Sequence, residues 1–231
     1  MRSRYHRIRK FLVIVLLIIA AFAVYVEIAN RNSKNMTYRQ KVLKAIYPVW
    51  MLWQKMLGAS KRVETRNVEA PVSFYSLTAN LNDGNSLNFS TLKGKKVLLV
   101  NTASDCGYTN QYNQLQELYE RFGNKLVVIA FPANDFKNQE KGTDEEIREF
   151  CKSNFGISFP LMQKITAKRS SQQHPVFQWL TDPAKNGWNK QVPKWNFSKY
   201  LVDENGRLQF FFGPAVSPLS KQMINAINNP G

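Results

Sequence analysis

Apolar residues are concentrated in one long run near the N-terminus. Phe11 to Val26 is free of charged side chains, and Ile28 and Ala29 extend the run beyond Glu27. A helix needs roughly 20 mainly apolar residues to cross a bilayer. The pattern therefore predicts a transmembrane helix, and residues 1–30 are interpreted as a basic flank followed by a membrane anchor.

A cleaved signal peptide is the alternative for this run. The small residues Ala21 and Ala23 would supply a cleavage site, but cutting there would leave apolar residues behind it. We therefore favour an uncleaved, single-pass anchor. The basic residues before the run predict a cytoplasmic N-terminus and an extracytoplasmic, periplasmic location for the rest of the chain. Basic residues also follow the run and weaken this orientation signal: Arg31, Lys34, Arg39 and Lys41.

Residues 31–70 form a second N-terminal segment. Thr37 to Leu57 predicts a helix that opens with the capping-box pattern Thr37-x-x-Gln40 and that Pro48 kinks or splits. Its aromatic residues alternate with lysines, which is typical of a helix at a lipid interface. Packing against the downstream domain is an equally open alternative. Gly58 to Ala70 is polar and predicts a linker.

From residue 71 onward, short β-rich runs alternate with amphipathic stretches. The turn signal at residues 82–84, Asn-Asp-Gly, predicts an N-terminal hairpin between Phe74 and Phe89. A strand, a helix, a strand, a helix, a hairpin and a closing helix are then predicted, in this order: Lys96–Thr102, Thr109–Phe122, Lys125–Phe131, Thr143–Phe155, Tyr200–Asp203 with Leu208–Phe212, and Met223–Asn228. This order predicts a thioredoxin-like α/β fold for residues 71–231, a central mixed sheet flanked by helices.

The net charge of +16 raises the question of a nucleic-acid partner. Residues 1–70 hold 14 Lys and Arg against 3 Asp and Glu, whereas residues 71–231 hold 18 against 13. The basic excess thus belongs mainly to the N-terminal segments, where it suits anionic lipid headgroups. We expect membrane lipid as a partner and no nucleic acid.

Two cysteines are too few for a disulfide framework, and with two histidines they offer no metal site. Cys106 follows a predicted buried strand and precedes a helix. A thiol at this junction lies near free N–H groups, which lower its pKa and favour the nucleophilic thiolate. On position alone, a reactive cysteine and an ordinary buried cysteine are equally open.

Four ordered motifs resemble the glutathione peroxidase family: VNTASDCGYTNQY at 100–112, FPANDFKNQE at 131–140, FPLMQKI at 159–165 and KWNFSKYLVDENG at 194–206. The resemblance covers about residues 71–227 and implies a thiol-dependent peroxidase that reduces hydrogen peroxide and organic or lipid hydroperoxides. It places Cys106 at the family's reactive position. It also implies that Trp195 and Asn196 support this residue, and both carry neutral donors that stabilise a thiolate.

The second motif departs from the family at its glutamine, which is Asp135 here. The resemblance places this residue in the catalytic set, but an ionised carboxylate beside the thiol would disfavour the thiolate. Either the Asp135 carboxylate is turned away and Asn134 or Gln139 supports the site instead, or the Asp135 carboxyl is protonated and acts as a donor itself. Cys151 is a possible resolving cysteine, although its apolar helical neighbours predict burial.

The resemblance implies no bound cofactor and an external thiol reductant, thioredoxin or glutathione. The stretch between residues 165 and 195 lacks the long loop that resembling tetrameric members place at their interface, so the resemblance implies a monomer. Two alternative functions share the fold. A thiol–disulfide oxidoreductase needs a Cys-x-x-Cys pair, which Thr109 breaks here, and a non-catalytic binding module is favoured only by Asp135.

Overall fold

The computed structural model describes residues 2–59, 61–65 and 68–229, with the backbone alone for residues 2–4. Its helices are α1 (Arg2–Ala29), α2 (Tyr38–Met56), α3 (Gln111–Phe122), α4 (Asp144–Phe155), α5 (Pro175–Thr181), α6 (Pro183–Asn186) and α7 (Lys221–Asn228). Its strands are β1 (Arg62–Glu64), β2 (Thr78–Asn80), β3 (Ser86–Asn88), β4 (Lys96–Thr102), β5 (Leu126–Pro132), β6 (Lys199–Val202) and β7 (Leu208–Phe212).

Five strands form a mixed sheet in the order β1-β7-β6-β4-β5. Strands β4 and β5 are parallel, with Leu99 opposite Ile129, and the other three pairings are antiparallel. Every residue of β4 and β5 is buried, as expected for parallel strands covered on both faces. The predicted thioredoxin-like fold and the N-terminal hairpin, formed by β2 and β3, are confirmed.

Two hydrophobic layers cover the sheet. One layer packs α3, α4 and α7 on one face and includes Cys106 and Tyr47 of α2. The other packs the hairpin segment and α5 on the opposite face, around Phe74 and Trp179. Since alternate β4 residues point to opposite faces, Leu98 and Leu99 belong to different layers.

Helix α1 is long and apolar enough to cross a membrane by length and composition, and the side chains of its apolar run are mostly exposed. Helix α2 begins with the predicted capping box, in which the Thr37 side chain accepts from the Gln40 N–H and the Gln40 side chain accepts from the Thr37 N–H. Pro48 lies inside a continuous helix, so it does not split α2.

The predicted linker is wrong for one stretch. Arg62–Glu64 forms β1 and pairs antiparallel with β7 at the edge of the sheet. Three residues are too few to show the alternation of a strand. This edge strand also depends on its pairing with β7, which lies far away in the chain. The sheet therefore begins nine residues before the expected domain boundary at Pro71; residues 60, 66 and 67 of this segment lie outside the described residues.

Candidate active site

Cys106 lies in the loop between β4 and α3. Its N–H donates to Thr109 Oγ1 at 3.0 Å, and that hydroxyl donates to the Ala103 carbonyl at 2.8 Å. The N–H of Asp105 donates to the Gln139 carbonyl at 3.0 Å, which ties this loop to the one that follows β5. Because both loops follow parallel neighbouring strands, they meet at the same edge of the sheet.

Hydrogen-bond donors converge on the sulfur of Cys106. The Tyr108 N–H donates to Sγ at 3.5 Å, and the neighbouring donor side chains of Trp195 and Asn196 act to lower the pKa of the thiol. Burial nevertheless raises the pKa of the Cys106 thiol above its ordinary value, and these three donors offset only part of that effect. The expected lowering of this pKa is therefore wrong for the structure as it stands, because the side chain is only 1 % exposed.

The turn that carries Trp195 and Asn196 is fixed against β4. The Asn101 side chain donates to the Trp195 carbonyl at 3.1 Å, and the Phe197 N–H donates to the Asn101 carbonyl. Asn196 donates to Gln139 Oε1 at 3.1 Å. Gln139 thus orients the Asn196 amide beside the sulfur, and the structure brings together Cys106, Trp195, Asn196 and Gln139.

Asp135 does not join this group, which corrects its expected place in the catalytic set. Its Oδ2 accepts hydrogen bonds from the N–H groups of Ala167 and Lys168, at 2.7 and 3.3 Å. The Asp135 carboxylate therefore binds the backbone of residues 167–168 rather than the Cys106 thiol. Asn134 has a similar structural task, since its Oδ1 accepts from the Glu140 N–H at 2.9 Å.

The sequence analysis did not single out Glu140, whose buried carboxyl lies beside Ser104 and Asp105 in the loop that carries Cys106. Burial raises the pKa of Glu140 to about 7, while nearby Ser104 acts in the opposite direction. The negative charge of Asp105 adds to the increase. The sequence signal that could have pointed to Glu140 is its place at the end of the second motif, directly after Gln139. No role was expected for this glutamate.

Cys151 lies on α4 and is fully buried, as its apolar neighbours predict. Burial raises the pKa of this thiol, and the nearby Tyr112 acts in the opposite direction. Both thiols are free and belong to the same hydrophobic layer. A resolving role for Cys151 stays a prediction that requires α4 to move.

Helix α2 packs over the loop that carries Cys106, so the alternative of packing on the downstream domain holds for one face of this helix. Gln40 Nε2 donates to the Ser104 carbonyl at 3.2 Å, and Arg39 pairs with Asp105. The Trp50 ring lies 6.4 Å from the Tyr108 ring. Sequence reasoning left this packing as one of two open alternatives, because nothing local in α2 encodes a contact with residues 104–108.

The space left at the sulfur is small. A cavity of about 10 Å³ is enclosed by α2 and the domain, lined by Met36, Gln40, Leu43, Lys44, Ser104, Cys106, Thr109, Asn110, Phe150 and Phe155. This volume is near the minimum for one water molecule. A hydroperoxide therefore reaches Sγ only when α2 or a neighbouring side chain moves.

An open cleft of about 670 Å³ lies beside the same loop, between the start of α2 and the start of α4. Its lining includes Ser104, Gln139 and Glu140 on the side of the Cys106 loop and Glu145 and Glu149 of α4. The cleft offers an open approach to the loop that carries Cys106. Within the described residues, no three His, Cys, Asp or Glu side chains are grouped as they would be around a metal ion.

Comparisons with known proteins identify the family to which the chain is similar. The glutathione peroxidase family model matches residues 74–181. Glutathione peroxidase-like peroxiredoxin 2 of Saccharomyces cerevisiae is 43% identical over 149 residues, 64% of this chain and 91% of its own length. Glutathione peroxidase homolog BsaA of Bacillus subtilis is 38% identical, over 64% of this chain and 92% of its own. The crystal structure of Trgpx in apo form superposes with a TM-score of 0.52 at 31% identity, covering 69% of this chain and 97% of that one.

Proposed function

Since this chain belongs to the glutathione peroxidase family and is a thiol-dependent peroxidase, we propose that Cys106 is the residue that attacks the hydroperoxide. One observation carries this proposal: the Tyr108 N–H donates to Sγ, and the Trp195 and Asn196 side chains beside it also act to lower the pKa of the thiol. These neutral donors stabilise a thiolate and, after attack, a sulfur that bears an oxygen. Gln139 positions Asn196 for this task.

The first half-reaction oxidises Cys106. The thiolate Sγ attacks one peroxide oxygen, so that an S–O bond forms while the O–O bond breaks. The sulfur becomes a sulfenic acid, and the departing alkoxide or hydroxide takes up the proton that the thiol released, which yields an alcohol or water. The accepted substrates are hydrogen peroxide and organic or lipid hydroperoxides.

The second half-reaction restores the thiol. One reductant thiol attacks the sulfenic sulfur, expelling water and forming a mixed disulfide, and a second thiol releases Cys106 as the reductant becomes a disulfide. We assign the reductant to an external thiol, thioredoxin or glutathione, with no bound cofactor. The burial of Cys151 favours an external second thiol over an internal one.

The N-terminal helix α1 is proposed as an uncleaved membrane anchor. Most of its apolar side chains between Phe11 and Ile28 are exposed, and burying them in lipid removes them from water. The basic flank before the run supports a cytoplasmic N-terminus and a periplasmic peroxidase domain. We expect a monomer, since the connection between Ile165 and Trp195 is short.

The nucleophile assignment is tested by peroxide consumption with thioredoxin or glutathione as the electron donor. Cys106→Ser abolishes turnover, because a hydroxyl cannot replace the thiolate. Cys151→Ser is the matched control, and it keeps the first oxidation step, detected as a sulfenic acid by mass spectrometry. Wild-type turnover by Cys106→Ser would refute the assignment.

The anchor is tested separately. Full-length protein in membranes should resist extraction by alkaline carbonate, and added protease should reach the peroxidase domain from the periplasmic side only. Release by carbonate would contradict the anchor, and protection from periplasmic protease would reverse the orientation. Light scattering in detergent checks the monomer.

A further inference from the structure

Helix α2 is apolar on two opposite faces. One face carries Gln40, Leu43, Tyr47 and Met51 and packs on the peroxidase domain. The other carries Val49, Leu52, Trp53 and Met56, and these four positions follow the i, i+3, i+4, i+7 spacing of a continuous helical stripe. An amphipathic helix that only packs on a domain needs one apolar face, so the second requires its own explanation.

This outer stripe is uncovered. Val49 is 72%, Leu52 60%, Trp53 56% and Met56 74% exposed. A contiguous apolar patch of this kind on a folded protein marks a binding surface. The stripe spans about 10 Å along the helix axis, from the 1.5 Å rise per residue.

The stripe is fixed beside the end of the apolar run in α1. The Tyr25 hydroxyl donates to the Ala45 carbonyl at 3.3 Å, and Lys41 pairs with Glu27 at 2.9 Å. Asn30 Nδ2 joins the two helices by donating to the carbonyls of Val26 and Lys41. These contacts set the depth of α2 relative to the segment that would span the bilayer.

A groove between α1 and α2 continues the same surface. It holds about 520 Å³ and is lined by Phe22, Tyr25, Ala45, Ile46, Val49, Trp50 and Trp53. Tryptophan and tyrosine favour the boundary between headgroups and acyl chains. Helix α2 has no acidic residue, and although its basic residues Arg39 and Lys41 pair within the protein, Lys55 in its last turn is exposed and complements anionic headgroups.

We propose that the outer stripe of α2, Val49, Leu52, Trp53 and Met56, docks on the bilayer that α1 crosses, while the inner face of the same helix stays packed over the Cys106 loop. The proposal rests on the membrane anchor of the proposed function. It makes α2 a connector that holds the nucleophile face of the peroxidase domain at the lipid surface. Trp50 joins the two sides, since it lines the groove and contacts Tyr108.

The experiment uses the full chain in vesicles of phosphatidylcholine and anionic phosphatidylglycerol. Cys106 and Cys151 are replaced by serine, a single cysteine is introduced with Met56→Cys, and it carries an environment-sensitive fluorophore. The matched control is Asn85→Cys, an exposed position in the β2–β3 hairpin, on the sheet face opposite α2. Lipids with a nitroxide on a shallow acyl carbon serve as the quencher.

We expect the label at Met56 to be quenched several-fold more strongly than the label at Asn85. Equal quenching in protein that remains with the vesicles after carbonate treatment would overturn the docking but leave the anchor standing. Loss of the protein from the vesicles would overturn both. In a second arm, the nitroxide is placed on another copy of the chain instead of on the lipid. If the Met56 label is quenched in this arm and not by the lipid nitroxide, the stripe is a protein interface and the docking is overturned.

Discussion

Access to Cys106 should depend on the contacts that hold α2 over it. Gln40→Glu is the most selective perturbation, because a glutamate keeps the acceptor oxygen that caps the Thr37 N–H but loses the amide donor that binds the Ser104 carbonyl. Helix α2 therefore keeps its N-terminal cap and loses one contact with the nucleophile loop. Trp50→Ala removes a second contact, the one with Tyr108.

The size of the effect follows from these contacts. One hydrogen bond contributes about 0.5–1.5 kcal/mol net, and an aromatic pair contributes about 0.5–1.5 kcal/mol beyond its buried area. If a reagent reaches Sγ only when α2 is displaced, the reaction rate follows the opening equilibrium, and about 1.4 kcal/mol corresponds to a factor of ten. Gln40→Glu should then accelerate modification of Cys106 about 2- to 13-fold, and the double variant about 5- to 160-fold if the two contributions add.

The assay is alkylation of Cys106 by iodoacetamide in a Cys151→Ser background, followed by mass spectrometry. Opening also relieves the burial that raises the pKa of the Cys106 thiol, which acts in the same direction. Lys55→Ala, at the exposed end of α2, is the control and should alkylate at the parent rate. An unchanged rate in the double variant would show that α2 does not limit access to the sulfur.

Three further outcomes are expected. Trp195→Phe removes a donor beside the thiolate, and a hydrogen bond to a charged group contributes about 1.5–3 kcal/mol. The oxidation of Cys106, followed by stopped flow, should therefore slow about 10- to 160-fold. An unchanged rate would remove Trp195 from the site. Because burial raises the pKa of Cys106, the same rate should still be rising with pH between about pH 7 and about pH 9, as the thiolate fraction grows, and a plateau below neutrality would contradict this. Asp135→Gln should leave the pH dependence of Cys106 alkylation unchanged and lower the free energy of unfolding in urea by about 1–3 kcal/mol, since the Asp135 carboxylate binds the Ala167 N–H; a shifted thiol titration would place Asp135 at the nucleophile.

The regular elements of the peroxidase domain were predictable because their signals are local. Strands β4 and β5 are unbroken apolar runs, and the capping box at Thr143 and Glu146 marks the start of α4. The short helices α5 and α6 were not predicted, although each begins with a proline at its first turn. Seven and four residues are too few for a helical period to stand out.

The sequence predicted which residues form the candidate site better than it predicted where their side chains point. The motifs around Cys106, Trp195 and Asn196 named residues that the fold brings together. The same motifs placed Asp135 beside the sulfur, whereas its carboxylate binds backbone N–H groups of the 167–168 segment. Side-chain direction after a strand depends on which distant segment offers a donor, and a motif does not carry that information.

The sequence by itself determined the class of fold and the apolar N-terminal helix and pointed to Cys106 as the candidate nucleophile, since periodicity, turn residues and motifs are properties of neighbouring positions. Only the tertiary structure decided that α2 covers Cys106, that Arg62–Glu64 completes the sheet and that the thiol pKa is raised. Each of these depends on a contact between segments far apart in the chain. Burial, the cause of the pKa shift, arises from all the segments that pack around a group at once.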